Sequence, residues 1–432
     1  MKKCLIIGGG LAGLTSAVYL SKAGYKIELI EASPKLGGRA YSFTDPETNT
    51  IIDNGQHILM GCYRETLKFF KLINATHNLE FQKRLKVSFI KEGFKLFLLE
   101  TKGIFYPFNL ICGILNYSVL RFAERLRIIS LFLKLSLIPA KDLKNLTVYE
   151  WLEQEKQTES IRKAFWEILC VGALNTSISK ASATAFVGIL NKIFLRGNKS
   201  ATIILPARGL SETYCINAQK FIKQNNGIIS FSEKVESLQF ESGKLVKIKT
   251  SKRIIEKFDF VISALPLFAF EKVVKDVKAF ADINLKYSSI LSFHIWLKVN
   301  RLNKDFYGGL IDINSKVHWI FNHGSHITLV ISDANDLMEL SKEELIEIAG
   351  IELKKFVDIP RDDIISFKII KEKRATFIPS NDIRGQRPPS VTKYSNFYLA
   401  GDWIETGLPS TIESAVKSGR IAADLILSKL NT

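Results

Sequence analysis

Three glycines set between an apolar strand and an apolar helix constrain this chain more than any other feature. Cys4-Leu5-Ile6-Ile7 is short and uncharged, as a buried parallel strand must be. Gly8-Gly9-Gly10-Leu11-Ala12-Gly13 follows directly, and Leu14 to Leu20 then runs at helical spacing toward Lys22 and Gly24. Lys26 to Ile30 reads as a second strand, closed by Glu31 and Ala32. Gly8 permits the tight turn, Gly10 leaves room for a pyrophosphate against the backbone, and Gly13 lets helix and strand pack closely. The helix start at Leu11 and Ala12 offers free N–H groups and a positive dipole end to phosphate. Glu31 is placed to accept hydrogen bonds from adenosine ribose hydroxyls. The expectation is a dinucleotide-binding βαβ unit in an α/β fold with a Rossmann-like parallel sheet.

Met1-Lys2-Lys3 before an uncharged stretch also resembles a secretory signal, but four glycines at its centre would weaken an apolar helix. The turn reading explains the same glycines and is preferred. Five cysteines, an odd number with no C-x-x-C, argue against a disulfide framework or a metal clip. Reduced thiols in a cytoplasmic protein are expected. The net charge of +17 calls for an anionic partner: nucleic acid, a phosphorylated substrate or an acidic bilayer. The lysines are scattered and no zinc-finger or RNA-recognition spacing accompanies them, so nucleic acid is not expected.

Leu36-Gly37-Gly38-Arg39-Ala40 lies just past Glu31. Near the other end, Asn396 to Ala400 reads as a buried strand ending in Gly401-Asp402, and a helix begins at Thr411-Ile412. These segments resemble the flavin amine oxidase and phytoene desaturase superfamily. The resemblance implies FAD as cofactor, with Gly38 and Arg39 along its diphosphate and ribityl chain. It further implies Asp402 on the ribityl or diphosphate, and the Thr411–Ile412 helix start at the flavin N1/O2 edge. Gly227 to Phe231 and Lys234 to Leu238 read as a strand pair on the adenine side, with Val235 as the contact. Phe258 to Pro266 looks like the superfamily's strand ending in a proline loop near the cofactor.

Asp53-Asn54-Gly55-Gln56-His57 and the run Gly401 to Ala415 narrow the resemblance to the hydroxysqualene dehydroxylases, the squalene-associated FAD-dependent desaturases. Leu205 to Glu212 is similar to that family's P-x-G-G-L-S segment, with Arg208 where glycine is usual. The implied reaction removes the hydroxyl of hydroxysqualene reductively, giving squalene. Such chemistry needs a flavin held against one carbon of a long chain, and an acid within reach of the hydroxyl. The resemblance sets Gly55 and Gln56 beside the isoalloxazine, with His57 the first candidate acid and Asp53 the second. Either side chain would equally serve to hold its loop by backbone hydrogen bonds. His77, His294, His318, His323 and His326 form no metal-ligand pattern, and no metal is expected. A phytoene-type desaturase is the first alternative. An amine oxidase is the second, disfavoured because the C-terminal motif offers a single aromatic, Trp403. No motif names the electron donor.

The FAD-binding domain is expected to be discontinuous, from residues 1–65, 200–270 and 390–432. Helices in 66–199 and a mixed sheet with helices in 271–389, with strands at Ser288–Leu297 and His326–Ser332, would form the substrate domain. Residues 94–140 are its greasy part. The eighteen residues 103–120 carry no charge, but Pro107, Asn109, Gly113 and Asn116 argue against a membrane span. Phe122, Leu126, Ile129, Leu133 and Leu137 then recur at helical spacing, with Arg121, Arg125, Arg127 and Lys134 on other faces. Two readings stand: a helical substrate domain with a large apolar core, or a patch that docks on the anionic inner face of the cell membrane and admits a long isoprenoid.

Overall fold

The computed structural model describes residues 1–429, apart from 92–94, 104, 140, 276, 278–279, 281–282, 301, 303–305, 310–314, 357–358, 360 and 384. Residues 94, 104 and 140 of the greasy stretch, and 430–432 at the chain end, thus lie outside the described residues.

Five strands from four separate parts of the chain build one parallel sheet. Their order is Ile228–Ser230, Lys26–Ile30, Lys3–Ile7, Phe260–Ser263 and Phe397–Leu399. Ile6 lies opposite Leu29 on one side and Ile262 on the other, so the glycine turn leaves the sheet at its centre. Cys4, Leu5 and Ile6 are wholly buried on both faces, which is why the strand reads as a continuous apolar run. One face carries the helix Leu11–Lys22 and the final helix Ile412–Ser428, through Leu14, Ala17, Val416 and Ala423. The other carries a three-stranded antiparallel sheet, through Val235, Leu238 and Ile248.

The expected pairing of Gly227–Phe231 with Lys234–Leu238 does not occur. Ile228–Ser230 extends the parallel sheet beside Lys26–Ile30, whereas Val235–Glu241 turns away and pairs antiparallel with Lys244–Thr250. Ser232, at a φ of 53°, makes the break between them.

A seven-stranded sheet forms the second layer. Its order is Ile364–Phe377, Tyr287–Leu297, His326–Ser332, Trp319–Asn322, Phe306–Gly309, Lys86–Lys91 and Lys95–Glu100. The last two strands come from the segment expected to be helical. Ile320, Leu329 and Ile331 point to the helix Lys342–Phe356. Phe89, Phe321 and Val330 point the opposite way, into a cluster formed by the helices Phe108–Leu115, Phe122–Lys134, Val148–Gln154, Glu167–Leu174 and Ala183–Phe194.

The helix Phe122–Lys134 forms where its spacing predicts one, but the stripe that predicts it faces largely outward. Ile129 is buried, while Phe122, Leu126, Leu133 and Leu137 are 63, 46, 63 and 77% exposed. Ile128, Leu131 and Leu135 supply the rest of the inward side. Among the described residues, no helix is long and apolar enough to cross a membrane.

Candidate functional site

A single cavity of about 1350 Å³ runs between the two layers, and its two ends differ in chemistry. One end lies over the glycine turn. Gly8, Gly10, Leu11 and Ala12 form its floor, and the helix behind them starts at Gly10 with no side-chain cap and no acid in its first turn. Its first N–H groups therefore have no partner within the helix and face the cavity. Gly13 stands behind the turn: a Cβ there would lie 1.9 Å from the Gly8 carbonyl oxygen. Gly38, at a φ of 62°, crosses the turn so closely that its own Cβ would come within 3.0 Å of the Gly10 Cα. No side chain fits at either place.

Glu31 and Ala32 line the far corner with Val235. Glu31 accepts from the Gly9 N–H at 2.6 Å and the Ser33 N–H at 2.7 Å, which fixes the carboxylate and leaves each oxygen a further lone pair. The proline loop Ala264-Leu265-Pro266 closes one side of the same end.

Arg39 and the C-terminal motif meet in the middle of the cavity. The Arg39 guanidinium is bonded to Asp402 and donates to the Ala375 carbonyl at 3.1 Å, and the Ser410 hydroxyl donates to the second Asp402 oxygen. Burial opposes the charge on Asp402, but Arg39 and Ser410 outweigh it and hold the carboxyl below its usual range. Burial likewise opposes the charge on Arg39, and Asp402 more than compensates. Thr411 caps the final helix by accepting from the Ser414 N–H at 3.1 Å, and Thr411 and Ile412 line the cavity beside Gly401 and Asp402.

The Asp53–His57 loop splits in two. Gly55, Gln56 and His57 line the cavity. Burial and the nearby Arg39 charge bring the His57 pKa down to about 4, so its imidazole is neutral at pH 7. Asp53 does not line the cavity. Its carboxylate accepts from the Ser42 hydroxyl at 2.7 Å and the Leu210 N–H at 3.0 Å, tying the hairpin Ser42–Thr44 and Ile51–Asp53 to the Leu205–Glu212 segment. Arg208 in that segment is exposed, and the close approach falls on Gly209, whose Cβ would lie 2.6 Å from the Ser42 hydroxyl oxygen.

Another part of the cavity wall is apolar. Phe89, Leu110, Ile129, Phe132, Phe165 and Ile193 form it, and Leu133 and Ser136 also line the cavity. Trp403 is no part of the lining: its indole donates to the Leu265 carbonyl at 2.9 Å and packs on Phe270. Among the described residues, no group of His, Cys, Asp and Glu side chains is arranged to hold a metal ion.

Asn54 and Glu413 lie inside the two motifs, but what each positions shows only in the fold. Asn54 donates to the Arg39 carbonyl at 3.0 Å and accepts from the Tyr41 N–H at 3.1 Å, joining the G-G-R turn to the Gly55 loop. Glu413 accepts from the Glu65 and Thr66 N–H groups and the Thr66 hydroxyl, fastening the final helix to the start of Arg64–Leu72. Apart from the Thr66 hydroxyl, their partners are backbone groups that become neighbours only in the fold.

The fit to FAD rests on the uncapped helix start, the two glycine crossings that no Cβ can occupy, and the volume. Small-ligand pockets hold about 300–1,000 Å³, so a cavity of about 1350 Å³ has room for a dinucleotide and for part of a second molecule. When bound, FAD supplies hydride chemistry at its flavin ring.

The chain is similar to the hydroxysqualene dehydroxylase of Zymomonas mobilis subsp. mobilis, with 28% identity over 98% of both chains. It is 24% identical to a 15-cis-phytoene desaturase of an Oncidium hybrid cultivar, over 98% of this chain and 77% of that one. An oxidoreductase from Methanosarcina mazei shares the fold, with a TM-score of 0.75 at 18% identity over 98% of this chain and all of the other. The profile described as flavin containing amine oxidoreductase matches residues 11–427. The protein is an FAD-dependent oxidoreductase, and the chain belongs to the flavin containing amine oxidoreductase family.

Proposed function

We propose that this protein reductively removes the hydroxyl of hydroxysqualene to give squalene. The observation that carries the reading is that one cavity is lined both by the glycine turns and ion pair suited to FAD and by a wall of aliphatic and aromatic side chains, with His57 also in its lining. An elongated apolar chain can lie along that wall with one carbon beside the flavin, and its bulk would displace water there. The similarity to hydroxysqualene dehydroxylases over nearly the whole of both chains supports the choice of substrate.

FAD is proposed to lie with its diphosphate on Gly8, Gly10, Leu11, Ala12 and Gly38, Gly13 allowing the approach from behind. Its adenosine would meet Glu31, Ala32 and Val235. The ribityl chain and flavin would pass Arg39, Gly401 and Asp402, with Thr411 and Ile412 at the N1/O2 edge, where a helix start favours negative charge. Gly55 and Gln56 would flank the ring. In the balanced reaction the C–O bond breaks, a hydride replaces the hydroxyl on carbon, and one proton leaves with the hydroxyl as water. His57 is proposed to deliver that proton. Asp53 holds the loop that presents it.

The oxidative alternative, a desaturation of phytoene, draws on the same apolar wall and on the more distant desaturase relatives. Incubation of the purified protein with each substrate under matched conditions separates the two. Squalene from hydroxysqualene is expected, and desaturated products from phytoene instead would overturn the reading.

The outer mouth is proposed to rest on an anionic membrane, at the cytoplasmic face of the cell membrane. Phe105 and Phe108, 72 and 50% exposed, pack edge to face on one another, the helix that begins at Phe108 packs on Phe122–Lys134, and Leu133 belongs both to the exposed stripe and to the cavity lining. The net charge of +17 adds attraction, about 1 kcal/mol for each lysine or arginine close to the surface. Flotation with phosphatidylserine vesicles at low salt checks this: the protein should float, and loss of flotation in Phe122→Ser with Leu133→Ser is expected. A wild-type protein that stays at the bottom would contradict it.

A further inference from the structure

Between Phe397–Leu399 and the final helix, residues 402–408 form a loop whose carbonyls are taken by cations from elsewhere in the chain. Arg387 takes four of them. Its Nε donates to the Trp403 carbonyl at 3.3 Å, Nη1 to Leu408 at 2.7 Å, and Nη2 to Asp402 at 3.0 Å and also to Ile404. Lys417 Nζ donates to the Thr406 carbonyl and Lys192 Nζ to the Gly407 carbonyl, both at 2.7 Å. The Arg387 side chain is 7% exposed, and its guanidinium lies 4.8 Å from the Phe377 ring centroid. Its carboxylate neighbour Glu405 is 3.8 Å away and 48% exposed.

A guanidinium presents its donors in a fixed plane, so one that bonds four carbonyls of a single loop dictates the path of that loop. Burying such a cation is unfavourable unless its donors are satisfied, and here backbone carbonyls do most of the satisfying. The loop so gripped carries Asp402 at one end and runs into Ser410, Thr411 and Ile412 at the other, all of which line the cavity.

We infer that Arg387 is a positioning residue for the flavin. It fixes the 402–408 loop so that Asp402 meets Arg39 and the final helix start meets the ring, and thereby it sets the affinity and the reduction potential of bound FAD. The inference rests on the proposed contact of FAD with Asp402 and Thr411. Lysine, a point donor on a flexible stem, replaces only part of the grip. A methionine of similar length removes all of it, and with it a buried positive charge that favours the anionic reduced flavin.

The test uses full-length Arg387→Lys and Arg387→Met proteins, reading FAD affinity by equilibrium titration and the midpoint potential by dye equilibration, alongside Tm. Arg387→Met should bind FAD at least about tenfold more weakly. Its potential should fall by about 30 mV, which is a tenfold loss of reduced relative to oxidised flavin binding for a two-electron couple. Arg387→Lys should fall between this and the wild type. Tm lowered in both variants with affinity and potential unchanged would mean a merely structural role and overturn the inference. Should Arg387→Met fail to fold, Arg387→Lys decides by the same two readouts. Asp402→Asn and Thr411→Val, measured in parallel, separate the layers. If these two leave FAD unaffected the cofactor placement itself fails, whereas a response there with silence at Arg387 fails only this inference.

Discussion

His57 faces the cavity with a neutral ring, because burial and the Arg39 charge both oppose its protonation. An acid of this kind is fully charged only below its pKa of about 4, so its protonated fraction rises as pH falls through the neutral range. The rate of hydroxyl removal should therefore climb as pH drops from 8 toward 5. His57→Gln should flatten that slope and lower the rate by about 10²–10⁴-fold, the usual contribution of a positioned acid. A wild-type profile that rises with pH, or one that His57→Gln leaves unchanged, would remove His57 from the reaction. Asp53→Asn should act differently, through the Ser42 and Leu210 contacts, lowering Tm more than it alters the pH slope. Residues of this site were legible in the sequence where several lie together in one short motif, as with Gly8, Gly10, Gly38, Arg39 and Gly55. Arg387 was not, because what it holds is backbone, and backbone carries no residue-type signal.

The strand, turn and helix at residues 3–22 were legible as an element because each piece has its own pattern and the glycines fix the join. The join is also where the element is least tolerant. A methyl group at Gly13 would meet the Gly8 carbonyl at 1.9 Å and the Ala264 side chain at 3.2 Å, so turn or helix must shift. Gly13→Ala should cost about 1–3 kcal/mol of stability, as overpacked sites do, and the purified protein should come without bound FAD. Thermal unfolding and the flavin absorbance of the purified protein check both. Full FAD occupancy in Gly13→Ala would contradict the close approach. The helix Phe122–Lys134 shows the limit of the same reasoning. Period alone reveals that an apolar stripe exists but not which side of the helix the core occupies, and here Ile128 and Leu131 won the inward side. The Gly227–Phe231 and Lys234–Leu238 strands were visible too, yet their partners depend on a left-handed turn at Ser232 that serine does not advertise.

Across the whole molecule, several histidines are enclosed as neutral rings. Burial, with the Arg39 charge beside His57, brings His57 and His318 down to about 4, and burial with neighbouring histidines brings His294 and His326 down to about 3. The unfolded chain protonates these groups near 6.5. Between pH 6.5 and about 4 the unfolded state therefore binds more protons, and stability falls as pH falls, by up to about 1.4 kcal/mol per pH unit for each ring. Asp53, Glu167, Glu271 and Glu413, raised by burial, pull the other way, while Asp402, Glu28 and Glu233, held below their usual range by cationic and hydrogen-bonding partners, add to the loss at the acid end. Tm should be level above pH 7 and drop steeply toward pH 5, and a flat profile across that range would contradict the enclosure of these rings. The parallel sheet was readable from the two ends of the chain, while the seven-stranded sheet was only half seen, because Lys86–Lys91 joins it from a segment whose neighbours are helices. What the joined cavity does is decided by a single anaerobic turnover. The FAD-loaded protein is reduced, mixed with hydroxysqualene, and followed by flavin absorbance and product extraction. Reoxidation of the flavin with one squalene formed per flavin is the predicted result. A flavin that stays reduced with hydroxysqualene intact would contradict reductive dehydroxylation by this protein.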